Sequence, residues 1–168
     1  MNAAEALAAG LALIHREARL LDTQAWDEWL ALYADDCVYW VPAWDGEHRL
    51  TDNPDTEISL IYYEGRAGLE DRIWRIRSGK SVASTPMPRT VHVVGGVELL
   101  DAKTLTLELC ASWTTHVYRV KRKEHQVHCG RYEYTLKRPD ADSEWKIGRK
   151  KVTLVNDTVP TMVDIYCL

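Results

Sequence analysis

The chain has 168 residues, 46% of them hydrophobic and 27% charged, with a formal net charge of −4. It is long enough for one domain, residues 1–168, with its own core, and too short for two comfortable ones. The acidic balance argues against nucleic acid as a partner, and no apolar run approaches the roughly 20 residues that a membrane helix needs.

At the N-terminus, Leu7, Leu11, Ile14, Ala18 and Leu21 recur at i, i+4, i+7, i+11 and i+14, one face of a 3.6-residue repeat, which predicts a first helix. This segment is apolar, but it carries Glu5 and no basic leader, so it does not read as a signal peptide. A cytoplasmic location is expected. Asp22 or Thr23 is placed to cap a second helix, in which Trp26, Trp29, Leu30 and Tyr33 form the apolar face. Asp35 and Asp36 are expected to end that helix, and Cys37–Val41, closed by Pro42, reads as a strand. Two Trp and a Tyr on one short face carry too much apolar area to stay in water, so a sheet must cover them.

Residues Asp45–Asp55 are polar with Gly and Pro and predict a loop, long enough to suggest a function or a packing role. Ile58–Tyr63 is a short apolar run of either type. Leu69, Ile73 and Ile76 mark a third helix, with Trp74 beside the stripe and Gly79 as its stop; Lys80–Pro88 is loop. From Arg89 onward the pattern is strands: 89–100, 104–120, 125–137 and 144–156, separated by short polar turns at Asp101–Lys103, Lys121–Glu124 and Pro139–Ser143. That order predicts an antiparallel meander. In the second strand Leu105, Leu107, Leu109, Ala111, Trp113 and Val117 share one face, which helices must cover. Seventeen extended residues would span about 55 Å, too long to lie flat in a domain of this size, so the sheet must curl. In the last strand Trp145 and Ile147 are apolar at odd positions and Val152 and Leu154 at even ones, which predicts a β-bulge between Gly148 and Lys151. Three helices, a short strand and a curled meander describe an α+β cone-shaped barrel of the nuclear transport factor 2 (cystatin-like) type, a fold that hosts both enzymes and association modules.

The chemistry candidates are sparse. Cys37, Cys110, Cys129 and Cys167 lie far apart without C-x-x-C or C-x-H partners, so reduced thiols and no metal or cofactor in this chain are expected. His125 and His128, with Cys129, sit three apart on a strand and point to opposite faces, which prevents them from closing on one metal. His92 and His116 lie in strands, where a lone histidine is more often a hydrogen-bonded packing residue than a base. An enzyme of this fold would want a carboxylate and a histidine or tyrosine converging in the cone, and Asp35 or Asp36 with Tyr39 or His92 supplies the residue types. Arg119, Lys121, Arg122 and Lys123 resemble a phosphate patch but fall on a predicted hairpin tip. Gly95 and Gly96 interrupt a strand, which suggests a bulge rather than a phosphate loop. Residues 1–71 hold 15 acidic and 4 basic groups, net −11, against 10 acidic and 17 basic groups, net +7, in the rest. These charges either neutralise one another within the fold or support head-to-tail contact between copies around a three-fold axis.

Three ordered segments carry a family resemblance. EARLLDTQAWDEWLALYADDCVYWVPAWD, DRIWRIRSGKSVASTPMPRTVHVVGGVELL and VTLVNDTVPTMVDIYCL together resemble the small, or β, subunits of Rieske-type aromatic-ring-hydroxylating dioxygenases. The stretch DGEHRLTDNPDTEISLIYYEGRAGLEDR is similar to the branch acting on benzoate and substituted benzoates. The resemblance implies a non-catalytic structural subunit in an α3β3 hexamer, self-associated as a trimer beneath three large (α) subunits. Those subunits would carry a Rieske 2Fe–2S cluster and a mononuclear Fe(II), with electrons arriving from NADH through a separate reductase and O2 added to the ring as a cis-diol. It implies no catalytic, cofactor-binding or metal residue in this chain. The reading it competes with is an autonomous cone-pocket lyase or isomerase acting on a small hydrophobic molecule.

Overall fold

The computed structural model describes residues 2–81, 84–156 and 163–168, so part of the expected Lys80–Pro88 loop and of the C-terminal tail lies outside the described residues. Helix α1 (Ala3–Asp22) opens with a capping box in which the Asn2 side chain accepts from the Glu5 N–H at 2.9 Å and Glu5 accepts from the Asn2 N–H at 2.8 Å. Its buried face runs through Ala6, Gly10, Leu13, Ile14, Glu17, Ala18 and Leu21. Leu7 and Leu11, expected in that stripe, are only half-buried, because the face is rotated to bring Glu17 inward.

Helix α2 (Trp26–Leu30) is shorter than expected, and neither Asp22 nor Thr23 caps it. Asp22 ends α1, and the Thr23 hydroxyl donates back to the Arg19 carbonyl at 2.9 Å. Tyr33 is not the last residue of that helix but the first of strand β1 (Tyr33–Pro42), where it pairs with Ile147. Asp35 and Asp36 therefore lie within a strand. Tertiary pairing outcompetes the helical periodicity here, since a five-residue helix has little stability of its own.

The expected loop contains a small hairpin, β2 (Trp44–Asp45) with β3 (Arg49–Leu50), followed by β4 (Ser59–Glu64) from the ambiguous apolar run. Glu57 holds the intervening turn: it accepts from the Asp52 and Asn53 amides and pairs with Arg49, and these bonds bring its carboxyl down to about 2. Helix α3 (Arg66–Arg77) buries Leu69, Ile73 and Ile76, leaves Trp74 69% exposed, and is followed by Gly79 at φ +67°.

The meander forms as expected: β5 (Arg89–Ala102), β6 (Thr106–Arg119), β7 (Glu124–Lys137) and β8 (Lys146–Leu154) pair consecutively and antiparallel. The six-stranded sheet has the order β4-β1-β8-β7-β6-β5, with β1 beside β8 in parallel. Inward residues of β6 are Leu107, Leu109, Ala111, Trp113, Thr115 and Val117; Leu105, assigned to that face from sequence, precedes the strand and is 40% exposed. Register breaks fall between Gly95 and Glu98, as the two glycines suggested, and at Gly148, where Ile147 faces Leu136 but Arg149 faces Thr135. The extra residue is Gly148, at the edge of the expected span, and it moves the inward parity to Lys150, Val152 and Leu154. The helices close the concave face, and the last residues, Ile165–Leu168, return into the core and are buried.

The closest approach within this sheet is at Gly130, where an added Cβ would stand 1.8 Å from the Thr153 carbonyl oxygen. Backbone cannot yield as a side chain can, so Gly130→Ala is expected to cost about 3 kcal/mol, the upper end of overpacking. Gly10→Ala, which meets only the end of the Leu109 side chain, should cost less; urea unfolding of both variants measures the difference.

Candidate functional site

Two polar constellations occupy the cone, and sequence reading named neither in full. The first is centred on Glu17, which enters from α1 and is 1% exposed. Lys150 of β8, equally buried, approaches its Oε1 at 2.8 Å and its Oε2 at 3.1 Å. Tyr33 donates to Oε1 at 2.5 Å, Tyr134 to Oε2 at 2.7 Å, and the Trp29 indole to Oε1 at 3.3 Å. The ammonium also lies 4.3 Å from the centre of the Tyr132 ring. Burial would raise the Glu17 carboxyl, but the Lys150 charge and the hydrogen bonds from Lys150, Tyr33 and Tyr134 outweigh it and hold the group below its ordinary value. Every acceptor site of this carboxylate faces a donor. Chemically it is a clamp joining α1, β1, β7 and β8, with no lone pair left for a substrate.

The second constellation joins α1 to the edge strand β5. Asp22 accepts from the Thr90 hydroxyl at 2.9 Å, the His92 backbone N–H at 2.9 Å and His92 Nδ1 at 2.6 Å. Burial pushes its carboxyl up, yet the bonds from His92 and Thr90 prevail and lower it. Beside this pair runs an open groove of about 350 Å³ lined by His15, Arg19, Asp22, His92 and Val94.

Among the residues proposed from sequence, Asp35 and Asp36 do not reach Tyr39 or His92. They are exposed and pair with Arg66 at 2.8 Å and Lys137 at 2.5 Å, in the stretch between Tyr33 and Val38 where the register of β1 against β8 breaks. Tyr39 is fully buried. His92 does have a carboxylate partner, but it is Asp22. A carboxylate in the last turn of a helix opposes the helix dipole, and that misfit was the available signal that a tertiary partner holds it. His125 and His128 lie on opposite faces: His125 is exposed with its ring stacked on His116 (Nδ1···Nε2 3.0 Å), whereas His128 is buried, which lowers its pKa, as does Arg119. Lys121, Arg122 and Lys123 occupy the exposed turn between β6 and β7. Among the described residues no three His, Cys, Asp or Glu side chains are grouped to hold a metal, and no helix is long and apolar enough to cross a membrane.

The convex face of the sheet is unusually apolar for a surface. Val91, His116 and Val127 stand side by side on β5, β6 and β7, with Val93 one step along; Val91, Val93 and Val127 are 57%, 56% and 41% exposed.

Residues 16–161 match the family described as ring hydroxylating beta subunit. The chain belongs to that family. The β subunit is 46% identical over 156 residues to the 2-halobenzoate 1,2-dioxygenase small subunit of Burkholderia cepacia, covering 93% of this chain and 92% of the relative. It is 39% identical to the benzoate 1,2-dioxygenase subunit beta of Acinetobacter baylyi over 91% and 88% of the two chains. Its fold superposes on the crystal structure of the beta subunit of the benzoate 1,2-dioxygenase from Burkholderia mallei with a TM-score of 0.77, at 37% identity over 94% of each chain. The α+β cone is thus the fold of a structural small subunit of an aromatic-ring-hydroxylating dioxygenase, and the clamp and the Asp22–His92 pair are the interior supports of that subunit.

Removing one partner of a buried ion pair leaves the other charge uncompensated, so Lys150→Met is expected to cost about 3 kcal/mol in urea unfolding. Glu17→Gln/Lys150→Met, which keeps an acceptor for one of Tyr33 and Tyr134 and offers an amide N–H to the hydroxyl of the other, should recover most of that loss. Glu17 and Asp22 both titrate below their ordinary values of 4.5 and 3.8, so their stabilisation is complete above those values and lost as pH falls through the lower folded ones. The melting temperature should therefore drop as pH decreases below about 4.5, and Asp22→Asn should make that drop shallower.

Proposed function

We propose that this single-domain β subunit is the mount of a benzoate-type ring dioxygenase, self-associated as a trimer that carries three large subunits in an α3β3 hexamer in the cytoplasm. The 46% identity to a halobenzoate dioxygenase small subunit over nearly the whole of both chains carries the reading. The geometry supports it, since the Glu17 carboxylate, buried inside the cone, is consumed in holding helices to sheet. The Rieske 2Fe–2S cluster and mononuclear Fe(II) of such an enzyme belong to the large subunit, with a reductase passing electrons from NADH. The residues present here do not fit either group: the cysteines lack paired spacing, and the histidine pair His116–His125 has no third donor grouped with it among the described residues.

The opposite charges of the two halves are partly neutralised inside the fold, through Glu17–Lys150, Asp27–Arg77 and Asp36–Lys137. What remains favours a heterologous three-fold contact, with the apolar row Val91, Val93 and Val127 as its centre and charged groups of opposite sign around it. Val91→Glu/Val93→Glu places charge on exposed positions and should leave the monomer folded while reducing the assembled mass in light scattering; an unchanged mass would remove this face from the contact.

Expressed alone, the chain should be colourless and hold no stoichiometric iron; co-expressed with its large subunit it should copurify with it. Replacing His92, His125 or His128 by Asn should leave iron per assembled complex unchanged. A variant that assembles yet loses iron in metal analysis would move a metal site into this chain and defeat the reading.

A further inference from the structure

Further along the inner face from Glu17, His92, Thr115 and His128 stand directly opposite one another on β5, β6 and β7, and Trp113 is the next inward residue of β6. All are buried. Three of their polar atoms, His92 Nε2, Thr115 Oγ1 and Trp113 Nε1, have no hydrogen-bond partner among the described residues, although native interiors leave few such atoms and seldom group them. The chemistry of the group is specific. A carboxylate such as Asp22 only accepts, so Nδ1 of His92 carries the hydrogen toward it, and a ring holding that single hydrogen turns a lone pair on Nε2 inward. The Trp113 indole only donates, and the Thr115 hydroxyl does either. One acceptor, one donor and one group of both kinds match a hydroxyl. The surrounding walls suit a ring, being the Trp113–Tyr132 stack (centroids 5.1 Å apart, 4° between planes) with Val94 and Val117.

The chain's own end packs against the same strand. Ile165, Tyr166, Cys167 and Leu168 are each at most 1% exposed, and their turn packs against β6. Arg119 acts electrostatically on His128, Tyr166 and Cys167 alike, so the turn and the polar row share one end of the cone. A latch holds the turn: Arg72 of α3 forks onto the fully buried Asp164, with Nε at 2.7 Å from Oδ1 and a second bond from its terminal nitrogen to Oδ2, and the Tyr166 and Ser84 hydroxyls meet at 3.0 Å. We propose that the mouth of the cone is a latent binding site for a small, uncharged ring alcohol, kept shut by the C-terminal turn. The hydroxyl donates to His92 Nε2 and accepts from the Thr115 hydroxyl, and the ring takes the volume that the turn vacates.

Phenol and toluene, which differ in the hydroxyl alone, are the probes. In the full chain, phenol should accelerate hydrogen exchange of the Cys167 and Leu168 amides, which are bonded to the Asp164 and Ile165 carbonyls, and should shift the His92 ring nitrogens in NMR spectra. Toluene should do neither. Arg72→Gln, which weakens the latch, should tighten phenol binding about tenfold, and the isosteric Thr115→Val should weaken it about tenfold, the worth of one hydrogen bond. No response to phenol, an equal response to toluene, or unaltered phenol binding in Thr115→Val would overturn the proposal. Should Arg72→Gln fail to fold, exchange in the unaltered chain and the Thr115→Val comparison still decide it.

Discussion

One buried carboxylate organises this fold. Glu17 is a charged residue on the inward face of the first helix, and burying it alone would be prohibitive, since an unpaired ion in an apolar interior costs several kcal/mol even after relaxation. The structure answers with donors from four other elements: Trp29 from α2, Tyr33 from β1, Tyr134 from β7 and Lys150 from β8. Because each donor must reach the same two oxygens, the register of three strands relative to α1 is specified at one point. The bulge at Gly148 belongs to the same constraint, for it shifts the parity of β8 so that Lys150 faces inward. A regular β8 would turn the ammonium to the outside and leave Glu17 without its counter-charge.

The same geometry suits a structural subunit built on a fold able to host catalysis. A catalytic carboxylate needs a free lone pair facing a reachable substrate. Glu17 has none to spare, and Asp35 and Asp36 are exposed and held in surface ion pairs. The partly buried carboxylate–histidine pair, Asp22 with His92, fastens the last turn of α1 to the edge of the sheet, where it also accepts a backbone N–H that an edge strand would otherwise leave unpaired. Its imidazole still presents one nitrogen to the interior, beneath a C-terminal turn that is latched in place. Structural support and residual binding chemistry are thus compatible in one cone: the middle is filled, and the mouth is covered.

Much was determined by the sequence alone. The order helix, helix, strand, helix and four-stranded meander, the apolar face of β6, the interruptions at Gly95–Gly96 and Gly148, and the divergence of His125 from His128 all follow from periodicities of 3.6 and 2 and from turn chemistry, which act over a few residues. The family, too, was legible in three ordered segments. Only the tertiary structure decided that Tyr33 begins a strand, that α1 buries Glu17 while leaving Leu7 and Leu11 half-buried, and that His92 pairs with Asp22 instead of Asp35 or Asp36. Each of these depends on a partner 12 to 133 residues away in the chain. No local pattern encodes such a partner, because a buried polar group is chosen by what the rest of the fold brings within hydrogen-bond distance of it.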